Sequence, residues 1–155
     1  MREEILVPAR KSPGAAPKPG ARPDSPWRRT DPDRVATILV VEDDADIREL
    51  IIEMLEESGY RVLSAANAEE AMAIVRRDRA IDVLFTDIIM PGRLNGVDLA
   101  QAALGVQPHL KLLFASGYAS PAVLAPLQHH LSRAFLKKPY RPRELTSRIA
   151  ALLEN

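Results

Sequence analysis

The stretch ILVVEDDADIREL, residues 38–50, joins a strand directly to a helix. Four apolar residues predict a buried strand, and the apolar spacing that begins at Ile47 predicts an amphipathic helix. Between them lie Glu42, Asp43 and Asp44, three adjacent carboxylates that repel one another. Such acids stand either in a solvated loop or in one half of a cation site whose other half lies further along the chain.

Short apolar runs recur along the chain and alternate with amphipathic segments. The five runs are TILVV (37–41), RVLSA (61–65), DVLFTD (82–87), KLLFAS (111–116) and AFLKK (134–138). Three of them are almost continuously apolar, which is typical of strands that are covered on both faces. The second run ends without a charged residue, which favours a position at the edge of the sheet.

Five amphipathic segments are predicted as helices. The first is predicted to begin after the cap Asp44 and to end before Gly59. Its predicted apolar face consists of Ile47, Leu50, Ile51, Met54 and Leu55. The strict alternation of strands and helices predicts a parallel sheet with right-handed crossovers and helices on both faces.

The other four helices are predicted from caps and spacing. The second has Asn67 as its N-cap and Glu70 three residues later, a capping-box arrangement. The third spans about 96–105, and the fourth has Ser120 as its N-cap before a proline. The last spans about 142–153. The chain therefore contains five predicted β/α units.

Polar residues stand where four of the runs end, and ligands bind at that edge of a parallel sheet. These residues are Glu42, Asp43, Asp44, Asp87, Ser116 and Lys138. Oxygen ligands without His or Cys suit a hard cation such as Mg²⁺. The central carboxylate, Asp87, could then attack a phosphoryl group, whose oxygens the metal, Lys138 and Ser116 would hold. The residues therefore predict chemistry that passes through an acyl phosphate.

Residues 36–154 resemble the receiver domain of bacterial two-component response regulators. The motifs that carry the resemblance are ILVVEDDADIRELI, DVLFTDIIMPGRLNGVDLA, LLFASGY and FLKKPYRPREL. The resemblance implies an α/β fold of the flavodoxin-like (βα)5 type. That fold is a three-layer sandwich with parallel strand order 2-1-3-4-5, an order known in chemotaxis receivers.

The resemblance also implies the phosphoacceptor and the metal ligands. Asp87 would accept the phosphoryl group. The metal would be held by Glu42, Asp43, Asp87 and the backbone carbonyl of Ile89, with Mg²⁺ as the cation and Mn²⁺ as an alternative. Asp44 lies one place beyond the acid pair and is predicted only to cap the helix.

Further roles follow from the same resemblance. Lys138 would bind the phosphoryl group, and Lys138–Pro139 would be a cis peptide. Ser116 and Phe135 would be the switch residues that change on phosphorylation.

Two departures from the commonest pattern are present. The loop MPGRLNG is one residue longer than usual, which is typical of receivers that stand alone or belong to hybrid histidine kinases. Ile89 and Tyr118 occupy positions that border the path of the hydrolytic water in this family. Because apolar Ile89 cannot orient that water, we expect the phosphoryl group to be lost slowly.

Residues 1–34 differ in composition from the rest of the chain. They hold seven of the 13 prolines and a net charge of +3, and they predict a disordered Pro/Arg-rich arm before a receiver domain at 35–155. Trp27 and the neighbouring arginines allow the alternative of a docking or polyanion-binding segment. The remaining net charge of −3 gives little reason to bind nucleic acid directly.

The chain is predicted to be cytoplasmic, without membrane association, because it lacks cysteines, a signal region and long apolar runs. The predicted phosphodonor is a sensor histidine kinase or a phosphotransfer protein. A downstream protein would bind the face formed by the fourth helix, fifth strand and fifth helix. We expect a monomer or weak dimer with no output domain, since the last helix ends near the C-terminus.

Two other functions stay open. One is a Mg²⁺-dependent hydrolase that passes through an aspartyl phosphate, rather than a protein that catalyses only its own phosphorylation and dephosphorylation. The other is a degenerate receiver that acts as a constitutive interaction module. His129 and His130 are predicted to be solvated surface residues rather than phosphodonors.

Overall fold

The computed structural model describes residues 34–117 and 135–154. Its strands are β1 (Thr37–Val41), β2 (Arg61–Ala65), β3 (Val83–Asp87), β4 (Lys111–Ser116) and β5 (Phe135–Lys137). Its helices are α1 (Ala45–Glu57), α2 (Ala68–Arg77), α3 (Gly96–Val106) and a C-terminal helix (Pro142–Leu153). Residues 1–33 of the predicted N-terminal arm, Tyr118, the predicted helix after Ser120 and the His129–His130 pair lie outside the described residues.

The five strands form one parallel sheet in the order β2-β1-β3-β4-β5, which confirms the predicted topology. Strand β1 lies in the interior of the sheet and pairs with both β2 and β3. Strand β2 lies at the edge, as predicted, and its side chains are mostly exposed or half-buried. None of the helices within 34–117 and 135–154 has the length and apolar character needed to cross a membrane.

Two separate apolar cores cover the two faces of the sheet. Ile38 and Val40 of β1 belong to the core that includes residues of α1 and the C-terminal helix. Leu39 and Val41 belong to the core that includes residues of α2 and α3. Because alternate strand residues point to opposite faces, both faces of β1 need apolar residues. This explains the continuous apolar run before the acids.

The predicted apolar face of α1 was too wide. Ile51 and Leu55 are buried as predicted, and Met54 is half-buried against the same core. Ile47 and Leu50, however, are 42% and 61% exposed. Ile51 and Leu55 are one helical turn apart, so the sheet covers only a narrow stripe of α1, and the rest of the predicted face is exposed.

The predicted caps of α1 and α2 are present. The carboxylate of Asp44 accepts the N–H groups of residues 46 and 47, and Gly59 follows α1 with a φ of 95°. The side chain of Asn67 accepts the Glu70 N–H at 2.8 Å. The Glu70 carboxylate accepts the N–H of Ala66, one residue before the position that a capping box uses.

Candidate functional site

The loop between β1 and α1 turns Glu42 inward. The Glu42 N–H donates to the carbonyl of Ala65 at the end of β2, 3.1 Å away. The Glu42 carboxylate accepts the Asp44 N–H at 3.1 Å, and Glu42 is only 5% exposed. Asp43 between them is exposed. The three adjacent acids therefore divide into a buried one, an exposed one and a helix cap.

Asp87 is the last residue of β3 and is 9% exposed. Its backbone carbonyl accepts the Thr86 hydroxyl at 2.9 Å. The chain then returns to the strand end, where the Gly96 N–H donates to the carbonyl of Ile88 at 2.7 Å. A Cβ atom on residue 96 would lie 2.0 Å from the Asp87 carbonyl oxygen, so this close approach requires glycine.

Three carboxylates converge at this edge of the sheet. Oxygen atoms of Glu42, Asp43 and Asp87 all lie within 4.8 Å of one another. The pKa of Glu42 is raised from 4.5 to about 7, first because burial penalises its charged form. The Asp44 N–H opposes this increase, whereas the charge of Asp87 and hydrogen bonds with Asp87 and Asp43 add to it.

This donor set fits a hard divalent cation. All three groups are carboxylates, two are buried and one is exposed, so an ion could be bound while it keeps water ligands on its open side. A bound cation would offset both the burial, which is the main cause of the raised Glu42 pKa, and the repulsion between the carboxylates.

Lys138 approaches Asp87 from β5. Its Nζ lies 2.7 Å from Oδ1 of Asp87. The Lys138 N–H donates to the carbonyl of Ser116 at 3.0 Å, which joins the two strand ends. The Lys138–Pro139 peptide is cis, as predicted. One oxygen of Asp87 is therefore paired with an ammonium group in a cluster that is otherwise acidic.

A pocket of about 360 Å³ opens onto Asp87. Its lining residues are Asp87, Ile89, Ala115, Ser116, Gly117 and Lys138. The side chain of Ser116 is buried, whereas Ile89 is 72% exposed. The pocket gives a small anionic group access to the carboxylate and the ammonium group together.

Two aromatic residues lie close in sequence to Lys138. Phe135 begins β5, is half-buried and lies opposite Phe114 of β4, and its carbonyl accepts a hydrogen bond from the Arg148 guanidinium. The ring of Tyr140 meets the ring of Phe85 edge-on at a centroid distance of 6.2 Å. The pKa of Tyr140 is raised to about 12 by burial and then by the nearby Asp87 and Glu42 charges.

The structure brings together the side chains predicted from the strand ends. Glu42, Asp43 and Asp87 form the cluster, while Lys138 and Ser116 line the adjoining pocket. The sequence prediction missed Gly96 and Tyr140, as well as Arg48, which donates to the Glu42 carbonyl. The only sequence signals for them were the Asn-Gly pair that opens α3 and the tyrosine directly after the Lys-Pro pair.

A parallel 2-1-3-4-5 sheet defines a flavodoxin-like domain, and in this one three acids and a lysine lie at the carboxyl ends of the strands, where such domains bind ligands. The family described as "Response regulator receiver domain" matches residues 38–150. The chain belongs to this family.

Similar proteins agree with this assignment. The response regulator receiver protein CpdR of Brucella abortus (strain 2308) is 33% identical over 116 residues, which are 75% of this chain and 95% of that protein. The sensor kinase CckA of the same organism is 31% identical over 128 residues, which are 82% of this chain but 13% of that protein. The crystal structure of a CheY-like receiver from Methanospirillum hungatei JF-1 is 30% identical, covers 78% of this chain and 95% of its own, and superimposes with a TM-score of 0.72.

Proposed function

We propose that this chain is a cytoplasmic receiver that accepts a phosphoryl group on Asp87 in a Mg²⁺-dependent reaction. The phosphodonor would be a sensor histidine kinase or a phosphotransfer protein. The observation that carries the proposal is the placement of Asp87, whose Oδ1 lies 2.7 Å from the Lys138 ammonium group beside the acid cluster. The similarity to CpdR and to part of CckA supports it.

Asp87 is the proposed nucleophile. A carboxylate oxygen attacks the phosphorus of a phosphohistidine, so that an O–P bond forms while the P–N bond breaks. The electron pair of the broken bond stays with the imidazole nitrogen, which takes up a proton. The product is an aspartyl phosphate.

The neighbouring side chains stabilise the added charge. Lys138 already lies beside Oδ1 of Asp87, so its ammonium group can follow the phosphoryl oxygens into the pocket. Ser116 lines the same pocket and supplies a hydroxyl group. Mg²⁺, held by Glu42, Asp43, Asp87 and the Ile89 carbonyl, would neutralise phosphoryl oxygens when bound.

Signalling would follow from a population shift. Ser116 and Phe135 are the proposed switch residues, because one lines the phosphoryl pocket and the other begins β5, the strand that leads directly into Lys138. The downstream protein would bind the face that includes β5 and the C-terminal helix. The residues between β4 and β5, which belong to the same proposed face, lie outside the described part of the chain.

The two alternative functions have less support. A hydrolase needs a group that activates water at the pocket, and the two exposed residues that line this pocket, Ile89 and Gly117, have no polar side chain. A degenerate receiver usually lacks the phosphoacceptor, an acid or the lysine, whereas here Asp87, Glu42, Asp43 and Lys138 are brought together.

Phosphorylation by a small donor tests the proposal. The full chain would be incubated with acetyl phosphate and Mg²⁺ and its intact mass measured. We expect the mass of one phosphoryl group in the wild type and no addition in Asp87→Asn. An equal addition in Asp87→Asn would contradict the assignment of Asp87, and no addition in either protein would contradict the function.

A further inference from the structure

Arg48 connects α1 to the acid pair. It lies in the first turn and a half of the helix and is half-buried. Its guanidinium Nη1 donates to the backbone carbonyl of Glu42 at 2.7 Å. That carbonyl belongs to the peptide group that joins Glu42 to Asp43. A single hydrogen bond therefore holds the link between two of the three clustered acids.

The other hydrogen bonds that Glu42 makes to described residues involve its N–H and its carboxylate, not its carbonyl. The Glu42 N–H is held by Ala65, and the Glu42 carboxylate is held by the Asp44 N–H. These bonds fix the two ends of Glu42. Because a peptide group is planar, fixing the Glu42 carbonyl also fixes the direction of the N–Cα bond of Asp43 and so the position of the Cα atom that carries its side chain.

We propose that Arg48 is a positioning residue of the cation site. It orients the peptide group between Glu42 and Asp43 so that both carboxylates converge with Asp87. The inference rests on the cation site of the proposed function but concerns a residue outside the ligand set. Arg48 acts through the backbone and does not contact the cation.

The charge of Arg48 alone would have the opposite effect. A guanidinium group near a divalent cation repels it, so removal of the positive charge by itself would tighten Mg²⁺ binding. Loss of orientation would weaken binding, because the Asp43 carboxylate would no longer be held in place. The sign of the change in affinity therefore separates a positioning role from a purely electrostatic one.

The test is a titration of the unphosphorylated full chain with MgCl₂, followed by NMR through the backbone amide shifts near residues 42–44 and 87. Arg48→Met keeps the length of the side chain and removes its donors. We expect the apparent dissociation constant for Mg²⁺ to rise about tenfold, in line with the loss of one charge-assisted hydrogen bond. Arg48→Lys, which retains a charged donor, should recover part of that loss.

Arg61→Met is the matched control. Arg61 donates to the Thr37 hydroxyl at 3.2 Å and to the Asp78 carboxylate at 3.1 Å, at the opposite edge of the sheet. Its loss should lower the thermal stability and leave the Mg²⁺ affinity unchanged. A merely structural role for Arg48 predicts the same pattern in Arg48→Met.

The outcomes separate this inference from the function on which it rests. If the wild type shows no saturable shift with Mg²⁺, the cation site fails and the inference fails with it. If the wild type binds Mg²⁺ and Arg48→Met binds equally or more tightly, only the inference is overturned. Should Arg48→Met lack a folded spectrum, Arg48→Gln takes its place, and an unchanged affinity in that variant also overturns the inference.

Discussion

Asp82 and Asp87 lie at opposite ends of β3. Their side chains are buried to a similar extent but have different neighbours. The side chains of Asp82 and Asp87 are 9% and 10% exposed. Asp82, before β3, pairs with Arg34 at 2.9 Å and accepts the Thr37 N–H at 2.8 Å. Asp87, at the other end of β3, has one ammonium partner but also faces the Glu42 and Asp43 carboxylates.

The difference separates a stabilising carboxylate from a reactive one. Each carboxylate oxygen of Asp82 has a donor, so its buried charge is compensated within the protein. At the Asp87 end of β3, three carboxylates lie close together beside a pocket, so their negative charge must be compensated by a cation or another ligand. Buried acids that the protein leaves under-compensated are candidates for chemistry.

The largest expected effect is on phosphorylation, when the carboxylate at either end of β3 is replaced by an amide. Asp87→Asn should abolish phosphorylation and raise the stability of the metal-free protein, because it relieves repulsion in the cluster. Asp82→Asn should leave phosphorylation intact and lower the unfolding free energy by about 2 kcal/mol. Intact mass after acetyl phosphate treatment and urea denaturation measure the two effects. If both substitutions destabilised the protein, the proposed difference between Asp82 and Asp87 would be wrong.

A methyl group added at residue 96, beside Asp87, should lower the unfolding free energy. In Gly96→Ala, the new Cβ would lie 2.0 Å from the Asp87 carbonyl oxygen, so the loop must shift, with an expected loss of about 3 kcal/mol. Gly105→Ala, within the same helix, meets nothing within 4 Å and should stabilise the protein by about 0.5–1 kcal/mol. Urea denaturation of both variants makes the comparison. Equal effects would show that the close approach at residue 96 does not constrain the site.

Glu42, in the cluster of three carboxylates, should also make the unfolding free energy depend on pH. The pKa of Glu42 is about 7 in the folded protein against an ordinary 4.5, so between these values the folded state binds more protons than the unfolded state. The unfolding free energy therefore falls as pH rises from about 4.5 to 7, by on the order of 3 kcal/mol at most. Melting temperatures in metal-free buffer, compared with Glu42→Gln, measure this term.

Saturating Mg²⁺ sharpens the same comparison. Because the cation binds the charged carboxylates, it should remove most of the decrease in stability above pH 5 in the wild type. Glu42→Gln should show little of that decrease without metal. An identical pH profile for the wild type and Glu42→Gln would contradict the assignment of the decrease to this residue.

The smallest expected effect concerns the lifetime of the phosphoryl group. Ile89 is 72% exposed at the pocket, so its replacement should cost little stability. Ile89→Asn places a group that can orient water beside Asp87 and should shorten the lifetime roughly tenfold. Ile89→Leu should leave it unchanged. A wild-type lifetime of seconds in Mg²⁺ would contradict the expectation of slow loss.

The sequence predicted which side chains lie together, because parallel strands bring their carboxyl ends to one side of the sheet. Glu42, Asp87 and Ser116 each end or follow a strand, so their convergence required only the order of the elements. The positions of Gly96 and Arg48 depend on how a loop and a helix return to the strand ends. Such approaches are set by tertiary packing and leave no periodic signal in the sequence.

The predicted apolar face of α1 was too wide for a related reason. Apolar spacing indicated that Ile47, Leu50, Ile51, Met54 and Leu55 share one side of a helix. How much of that side is buried depends on the width of sheet that the helix covers, which only the assembled fold determines. The exposed Ile47 and Leu50 show that amphipathic spacing gives the direction of burial but not its extent.

The most direct test of the account is to locate the phosphoryl group by chemical trapping. Borohydride reduces an aspartyl phosphate to homoserine with release of phosphate, and peptide mass spectrometry then identifies the altered residue. After treatment with acetyl phosphate and Mg²⁺, we expect homoserine at position 87 and an unchanged aspartate at position 82. Homoserine at position 43 or 44, or at no position in a protein that has gained the mass of a phosphoryl group, would contradict it.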